Sequence, residues 1–424
     1  MAKSLFEIYE DQLWSILGTV PGVDDIRLRA LKAAAKTGIP TNKFEDWRYA
    51  DLKKLRSTAY GLADKVDTKT DVVSLFDDYT ARIVFVNGRF SESLSDLDEL
   101  MQAANVRHLS NHTRSGSDRA NELIIGDDPI AQLNTALMTS GIVISLPSHV
   151  ELDDPIEIIH LNEKGENSAV HLRHIIEMGE GSRATIVERY IGDDSNYWTN
   201  TLTQVRVSEK ANLTHIRMQE EGANAVHTHK VHANLDSGAT YGNLTLQLGA
   251  SYGRTEAHIR MLGEEAHAWA DGASLAGESQ TLDTVTHINH IVPNATSDQV
   301  FRAVLDKKSK TAFQGKVSVA KDAQKTLADQ SCRSLLLDRT AEACAKPELE
   351  ILADDVKCSH GATVGALDDK AYFYLISRGI APKEAKHMLV EAFAADALLH
   401  IEDDSMRELL NARLLAWMVN RGQS

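Results

Sequence analysis

A polar turn running into an alanine recurs along the middle of the chain. GEGSRA leads to Ala184, EKA to Ala211, SGA to Ala239 and GEEA to Ala266, at intervals of 27, 28 and 27 residues. Continuing the ruler places Ala295 and Ala323 a further 29 and 28 residues on. A fixed period of this length is the mark of a stacked-repeat architecture. The segments between the turns alternate with period two, as half-buried strands do. Val205 and Val207 alternate with Gln204 and Arg206, Thr214, Ile216 and Met218 with His215 and Arg217, and Leu244, Leu246 and Leu248 with Thr245 and Gln247. Strands in every unit point to a coiled β stack or β-helix. A sandwich or barrel of similar short strands is the competing reading of the same pattern.

The flanks read differently. Ser4 with Glu7 makes a capping box ahead of Tyr9, Leu13 and Leu17, and a second helix covers Asp25 to Thr37, ending near Gly38 with Pro40 beyond. IVFVNGRF (Ile83 to Phe90) predicts a hairpin about an Asn-Gly turn. After Gly365, Pro382 opens a helix carrying Ala385, Met388, Leu389, Ala392, Phe393 and Leu399, and Ser405 with Glu408 forms a second capping box. The expected organisation is mainly β with helical caps: residues 1–140 helical with short strands, 141–367 the β core, and 368–424 a C-terminal helical domain. A solenoid needs its ends covered, so the order is self-consistent.

Charge and motifs narrow the function. With 61 acidic against 45 basic residues the chain carries −16, which suits solubility and argues against nucleic acid as the main partner. The longest uncharged run, Pro129 to Val150, is too polar to span a membrane, and the start, MAKSLFEIYEDQLW, has no signal-peptide pattern. The three cysteines, Cys332, Cys344 and Cys358, form no CxxC pair and suit a reducing cytoplasm. Gly315-Lys316 lacks the rest of a phosphate loop, and GxGxxG, GxSxG and HExxH are missing.

Four pairs of residues carry metal-ligand chemistry. His227 and His229 in HTHKVH share one face of a strand, either as ligands or as part of a polar β face. His171 with His174, and His287 with His290, fall on opposite faces. Cys358 and His360 are the sharper pair: one residue apart on an extended strand, they aim the same way, and thiolate with imidazole suits iron–sulfur, zinc or copper. Two ligands leave a site incomplete, so others come from elsewhere or from a second chain; the bland alternative is a buried cysteine beside a satisfied histidine. Cys332, ahead of a core strand, and Cys344, near a turn at Lys346-Pro347, read as structural. Asp354 and Asp355, the acid pair that a β-helix hydrolase would need, are adjacent and so face opposite sides of a strand.

The stretch from Glu348 to Ile380, with DDVKCSHGATVG at Asp354 to Gly365, resembles the SufD family of iron–sulfur cluster assembly proteins. PTNKFEDWRYADL (Pro40 to Leu52), RIVFVNGRFSESLS (Arg82 to Ser95) and APKEAKHMLVEAFAAD (Ala381 to Asp396) resemble further blocks of that family in the same order. The resemblance implies a right-handed parallel β-helix between helical regions. It implies a non-catalytic scaffold subunit working with a SufB-like subunit and a SufC-like ATPase. It also implies a transient iron–sulfur cluster shared with the SufB-like partner through His360 and Cys358, with no permanently bound cofactor. The SufC-like contact falls on Phe373, Tyr374, Leu375, Arg378, Gly379, Met388 and Phe393. Cys332 stands where many SufD-like chains carry asparagine, and is read as incidental. The alternatives are a cytoplasmic β-helix enzyme or a metal-binding homodimer unrelated to cluster assembly; an isolated chain would also form homodimers through its sheet edges.

Overall fold

A computed structural model describes residues 3–66, 68, 70, 72–113, 123 and 128–421. Its centre is a solenoid of eight coils, each contributing one strand to each of two parallel sheets. The first sheet runs from Ile142–Leu146 through Ser168–Met178, Tyr197–Val207, Val226–Leu235, Tyr252–Met261, Thr281–His290 and Lys310–Val319 to Glu342–Ile351. The second runs from Ile156–Asn162 through Arg183–Gly192, Asn212–Glu220, Thr240–Gln247, His267–Ala276, Thr296–Leu305 and Leu327–Leu336 to Lys357–Gly365. This is the coiled β stack expected from the repeat, with helical regions on either side in sequence.

The turn motif has a backbone cause. Six successive corners entering the second sheet, from the one before Arg183–Gly192 to the one before Leu327–Leu336, have a residue with positive φ: Gly181, Lys210, Gly238, Glu265, Asn294 and Lys325, at 55–64°. The next residue is small or short and buried: Ser182, Ala211, Ala239, Ala266, Ala295 and Thr326. Successive corners are stitched together, Gly181 N–H to Glu209 O, Lys210 N–H to Ser237 O and Gly238 N–H to Glu264 O. The register corrects two ruler marks. Leu213, not Ala211, lies beside Ala184, and Leu327 pairs with Thr296, so Thr326 rather than Ala323 continues the file of Ala295.

The alternation is real but its polarity is inverted in part of the second sheet. Tyr241, Asn243, Thr245 and Gln247 face the interior, whereas Leu244 and Leu246 face outward, where the C-terminal helices cover them. Those helices (Pro382–Ala395 and Asp404–Arg421) bury Val390, Ala394, Met406, Leu410 and Leu414, with Leu398 from the turn between them, against Ile216, Met218, Leu244 and Trp269. Polar cross-links reinforce the seam: Arg302 Nε to Asp396 at 3.2 Å and His400 Nδ1 to Asp271 at 2.7 Å. Asp271 is buried there; loss of water pushes its carboxyl up, while the His400 hydrogen bond pulls it down. The helix Asp404–Arg421 is capped by Asp403, which accepts from Met406 N–H at 2.7 Å, not by the Ser405–Glu408 box. Met388 is exposed, and Leu399 is exposed beyond the end of the helix Pro382–Ala395 expected to carry it.

The N-terminal region covers the opposite outer face. Its first helix (Leu5–Ile16) has the predicted Ser4–Glu7 capping box, and the second (Asp24–Thr37) ends at Gly38 with φ 77°. Tyr9, Leu13, Leu52, Tyr60 and Leu133 pack on Ala169, Trp198, Val226 and Tyr252 of the first sheet. The FEDWRYADL segment is an anchor: the Arg254 guanidinium lies 3.8 Å over the Trp47 ring and donates to Asp46 O at 2.7 Å. The predicted hairpin forms (Ala81–Val86 with Arg89–Phe90), its turn residues Asn87 and Gly88 both having positive φ. Strands Arg89–Phe90 and Asn105–His108 close the early end of the two sheets in antiparallel fashion. At the late end, no further strand among the described residues pairs with Glu342–Ile351 or Lys357–Gly365.

Candidate functional site

Cys358 and His360 lie on that last strand, Lys357–Gly365, and their register partners, Ala328 and Gln330, continue the inward-facing file of Ser297 and Gln299. Both therefore turn toward the solenoid lumen, as the one-residue spacing required. Because no coil follows, this inner face is open: Cys358 is half-buried and His360 exposed. Ile351, Leu352 and Val364 add exposed apolar surface at the same end. Partial burial pushes the Cys358 thiol up, against a hydrogen bond from the Ala328 backbone that lowers it. Among the described residues no group of three or more His, Cys, Asp or Glu side chains converges as a metal site. The pair thus remains two donors on an unpaired edge.

The other cysteines separate from this site in different ways. Cys332 faces the lumen two residues beyond Gln330, buried with Phe301 and Phe313, and its thiol is pushed up to about 12 by loss of water. Cys344 is exposed in Glu342–Ile351. The turn expected at Lys346-Pro347 does not form: Pro347 sits inside this strand, opposite Gly315, tolerated because the strand is an edge.

The HTHKVH histidines are not surface ligands. His227 and His229 share a face, but it is the lumen face and both are buried. They belong to a polar interior that sequence reading missed. Glu188 is its centre, accepting from His215 Nε2 at 2.8 Å, from Thr203 Oγ1 at 3.0 Å and from the Tyr190 hydroxyl. Burial favours the neutral acid, yet the His215 hydrogen bond and the surrounding His229, His215 and His174 rings hold it well below the ordinary carboxylate range. His160 is stacked between Phe85 and Tyr190, at centroid distances of 5.4 and 4.5 Å. The signal was present as polar residues in the apolar-looking strands; only the outer helices reveal which face is the core.

Of the seven residues implied for a partner contact, Phe373, Tyr374, Leu375 and Arg378 lie on or just past the helix Asp369–Ser377, which buries none of its residues. Phe373 is 72% exposed and Tyr374 56%. Gly379 ends that helix with φ 90°, and Met388 projects from the next. Phe393 differs: it is partly buried against the protein's own wall of Leu244, Trp269 and Val304.

Residues 160–393 match the family described as SUF system FeS cluster assembly, SufBD core domain, and residues 1–158 match the SufBD protein N-terminal region. The chain belongs to the SufBD family. Within it, the iron-sulfur cluster assembly protein SufD of Escherichia coli is 30% identical over 91% of this chain and 90% of its own length. An iron-sulfur cluster assembly SufBD family protein of Synechocystis is 29% identical, covering 85% of this chain and 83% of that one. A chloroplastic protein of Arabidopsis thaliana is 27% identical over 95% and 88%. The SufBD core match includes Cys358, His360 and the exposed helix, so the open end of the solenoid is part of the family's shared body. The SufBD N-terminal match includes Trp47, and the core match includes Arg254, on which Trp47 is anchored. No helix among the described residues is long and apolar enough to cross a membrane.

Proposed function

We propose that this chain is a non-catalytic SufD-type scaffold subunit, working in the cytoplasm with a SufB-like subunit and a SufC-like ATPase to build iron–sulfur clusters. The observation that carries the reading is the unpaired strand Lys357–Gly365, which presents Cys358 and His360 on the inner face of an open solenoid end. A site with two donors and free backbone groups at its edge suits completion by a second β chain, which would pair with the strand and supply the missing ligands. His360 holds the nascent cluster through a ring nitrogen, and Cys358 is an auxiliary sulfur or metal contact. The cluster is cargo, passed on rather than kept. The SufC-like subunit docks on the exposed helix around Phe373, Tyr374, Leu375, Arg378 and Gly379, with Met388 beside it. Phe393 supports that surface from below.

The test is co-expression with SufB-like and SufC-like chains, followed by anaerobic reconstitution and absorption spectroscopy. His360→Ala is expected to abolish cluster build-up while the three chains still co-purify. Normal cluster formation by that variant would overturn the ligand role. The same open edges favour a homodimer when the chain is alone, checked by light scattering with and without the partners.

A further inference from the structure

One rung inside His360, in the same inward-facing file, stands Gln330. Its side chain is 99% buried, and neither Oε1 nor Nε2 has a hydrogen-bond partner. A buried primary amide with no partner costs on the order of 1–3 kcal/mol, so an amide left this way in the core calls for a use. Other lumen amides are at least half paired: Gln299 accepts from Thr286 Oγ1 at 2.6 Å though its Nε2 has no partner, and Gln247 donates to Ser274 Oγ and Thr284 Oγ1 at 3.1 and 2.9 Å though its Oε1 has none, whereas Gln330 lacks a partner at both atoms.

The residues around Gln330 are small. Across the lumen is Gly315, where an added Cβ would stand 2.1 Å from Gln330 Nε2. The rung above has Ala362 on one side, and Ala345 and Pro347 on the other. At the open end Cys358 and His360 therefore stand on the last rung, with the enclosed Gln330 amide one rung below them. Adjacent rungs of a sheet are about 4.8 Å apart, within reach of a glutamine amide turning about its side-chain bonds.

We propose that Gln330 is the positioning residue of this site. Its Oε1 accepts the N–H of one His360 ring nitrogen, which fixes the tautomer and leaves the lone pair of the other nitrogen facing the cargo. Metal-bound histidines are generally oriented by such a partner, and its loss typically weakens metal binding by about 10–100-fold. The inference rests on the function proposed above, and extends it to a residue that touches no cargo.

The test has two readouts. In the chain labelled with ¹⁵N-histidine, the His360 ring signals, assigned by their loss in His360→Asn, report the tautomer ratio. Gln330→Met, which keeps length and fills the same space, is expected to raise the minor tautomer several-fold. In the assembled complex under anaerobic conditions, the same variant is expected to weaken Fe(II) binding by about 10–100-fold. Gln330→Glu, which keeps an acceptor oxygen, restores both. An unchanged tautomer ratio in Gln330→Met overturns the proposal, even if Fe(II) affinity falls, because a purely structural amide would act that way. Unchanged Fe(II) affinity overturns it as well. His360→Ala serves as the reference: if it binds Fe(II) normally, the function proposed above fails and takes this inference with it. If only Gln330→Met is without effect, that function stands.

Discussion

Acidification should unlock the solenoid from within. His160, His171 and His174 are fully enclosed, and loss of water holds them neutral, pushed down to about 3, about 3 and about 4 from an ordinary 6.5. The groups around them add to or oppose this only in part: His174, Glu188 and His227 near His160, and Glu188, His215 and Arg173 near His174. In the unfolded chain these imidazoles take up protons as pH falls through about 6.5, whereas in the folded chain they do not, so stability falls with pH. Between about pH 7 and pH 5 each such group costs about 2 kcal/mol, and the three together about 6 kcal/mol, against a typical folding stability of about 5–15 kcal/mol. His229 and His215 are shifted the same way and add to the loss. Glu188, held below its usual range, begins to matter only nearer its unfolded value of 4.5. His400 works in the opposite sense, because Asp271 raises it and its contribution is present at low pH. The assay is urea unfolding at a series of pH values, with the slope of stability against pH read near pH 5. The three protons of His160, His171 and His174 alone correspond to about 4 kcal/mol per pH unit, and His215 and His229 steepen the slope further. His160→Phe, packed between the same two rings, should lower that slope by about 1.4 kcal/mol per pH unit. A flat profile from pH 7 to pH 5, or a slope untouched by His160→Phe, refutes the reasoning.

Other consequences are open to direct measurement. Trp47→Ala should cost about 3–5 kcal/mol in urea unfolding, because it removes a buried ring and its stacking on the Arg254 guanidinium. Gly242→Ala should cost about 1–3 kcal/mol and raise the susceptibility of the C-terminal helices to limited proteolysis, since the new Cβ would meet the Trp269 ring at 2.0 Å. Titration with a thiol reagent should modify Cys344 and Cys358 in the native isolated chain and Cys332 only after denaturation. Binding of the SufB-like partner should then protect Cys358.

Much of the fold could be read from the sequence because a solenoid writes its period into its corners. The positive-φ residue and the small buried residue after it recur through six successive coils, and that is what the alanine ruler detected. What it could not convey was which face of a strand is inside. His215 and Arg217 look solvated beside Ile216 and Met218, and only the helices far along the chain turn the apolar row into the outer, covered face. The Cys358–His360 pair was legible because a single intervening residue fixes a shared direction in extended chain. Gln330 was not, since its adjacency to His360 depends on a register between residues 30 apart. The Lys346-Pro347 turn failed for a related reason: proline excludes a central strand, and nothing local says that Glu342–Ile351 is an edge.

The corner stitching has a consequence for how such a chain can change length. Strands of about ten residues recur almost unchanged, whereas the file of corner residues advances by 27 residues in one coil and 31 in another. Single-residue insertions are therefore absorbed at corners, where backbone bonds join turn to turn without a fixed side-chain alternation. Inside a strand the same insertion would exchange lumen for exterior along everything downstream in that rung. Viable length variants should accordingly come in two sizes: a residue or so at a bend, or one entire coil gained or lost, with the distance from the anchored early end to the open mouth changing by a single inter-strand step.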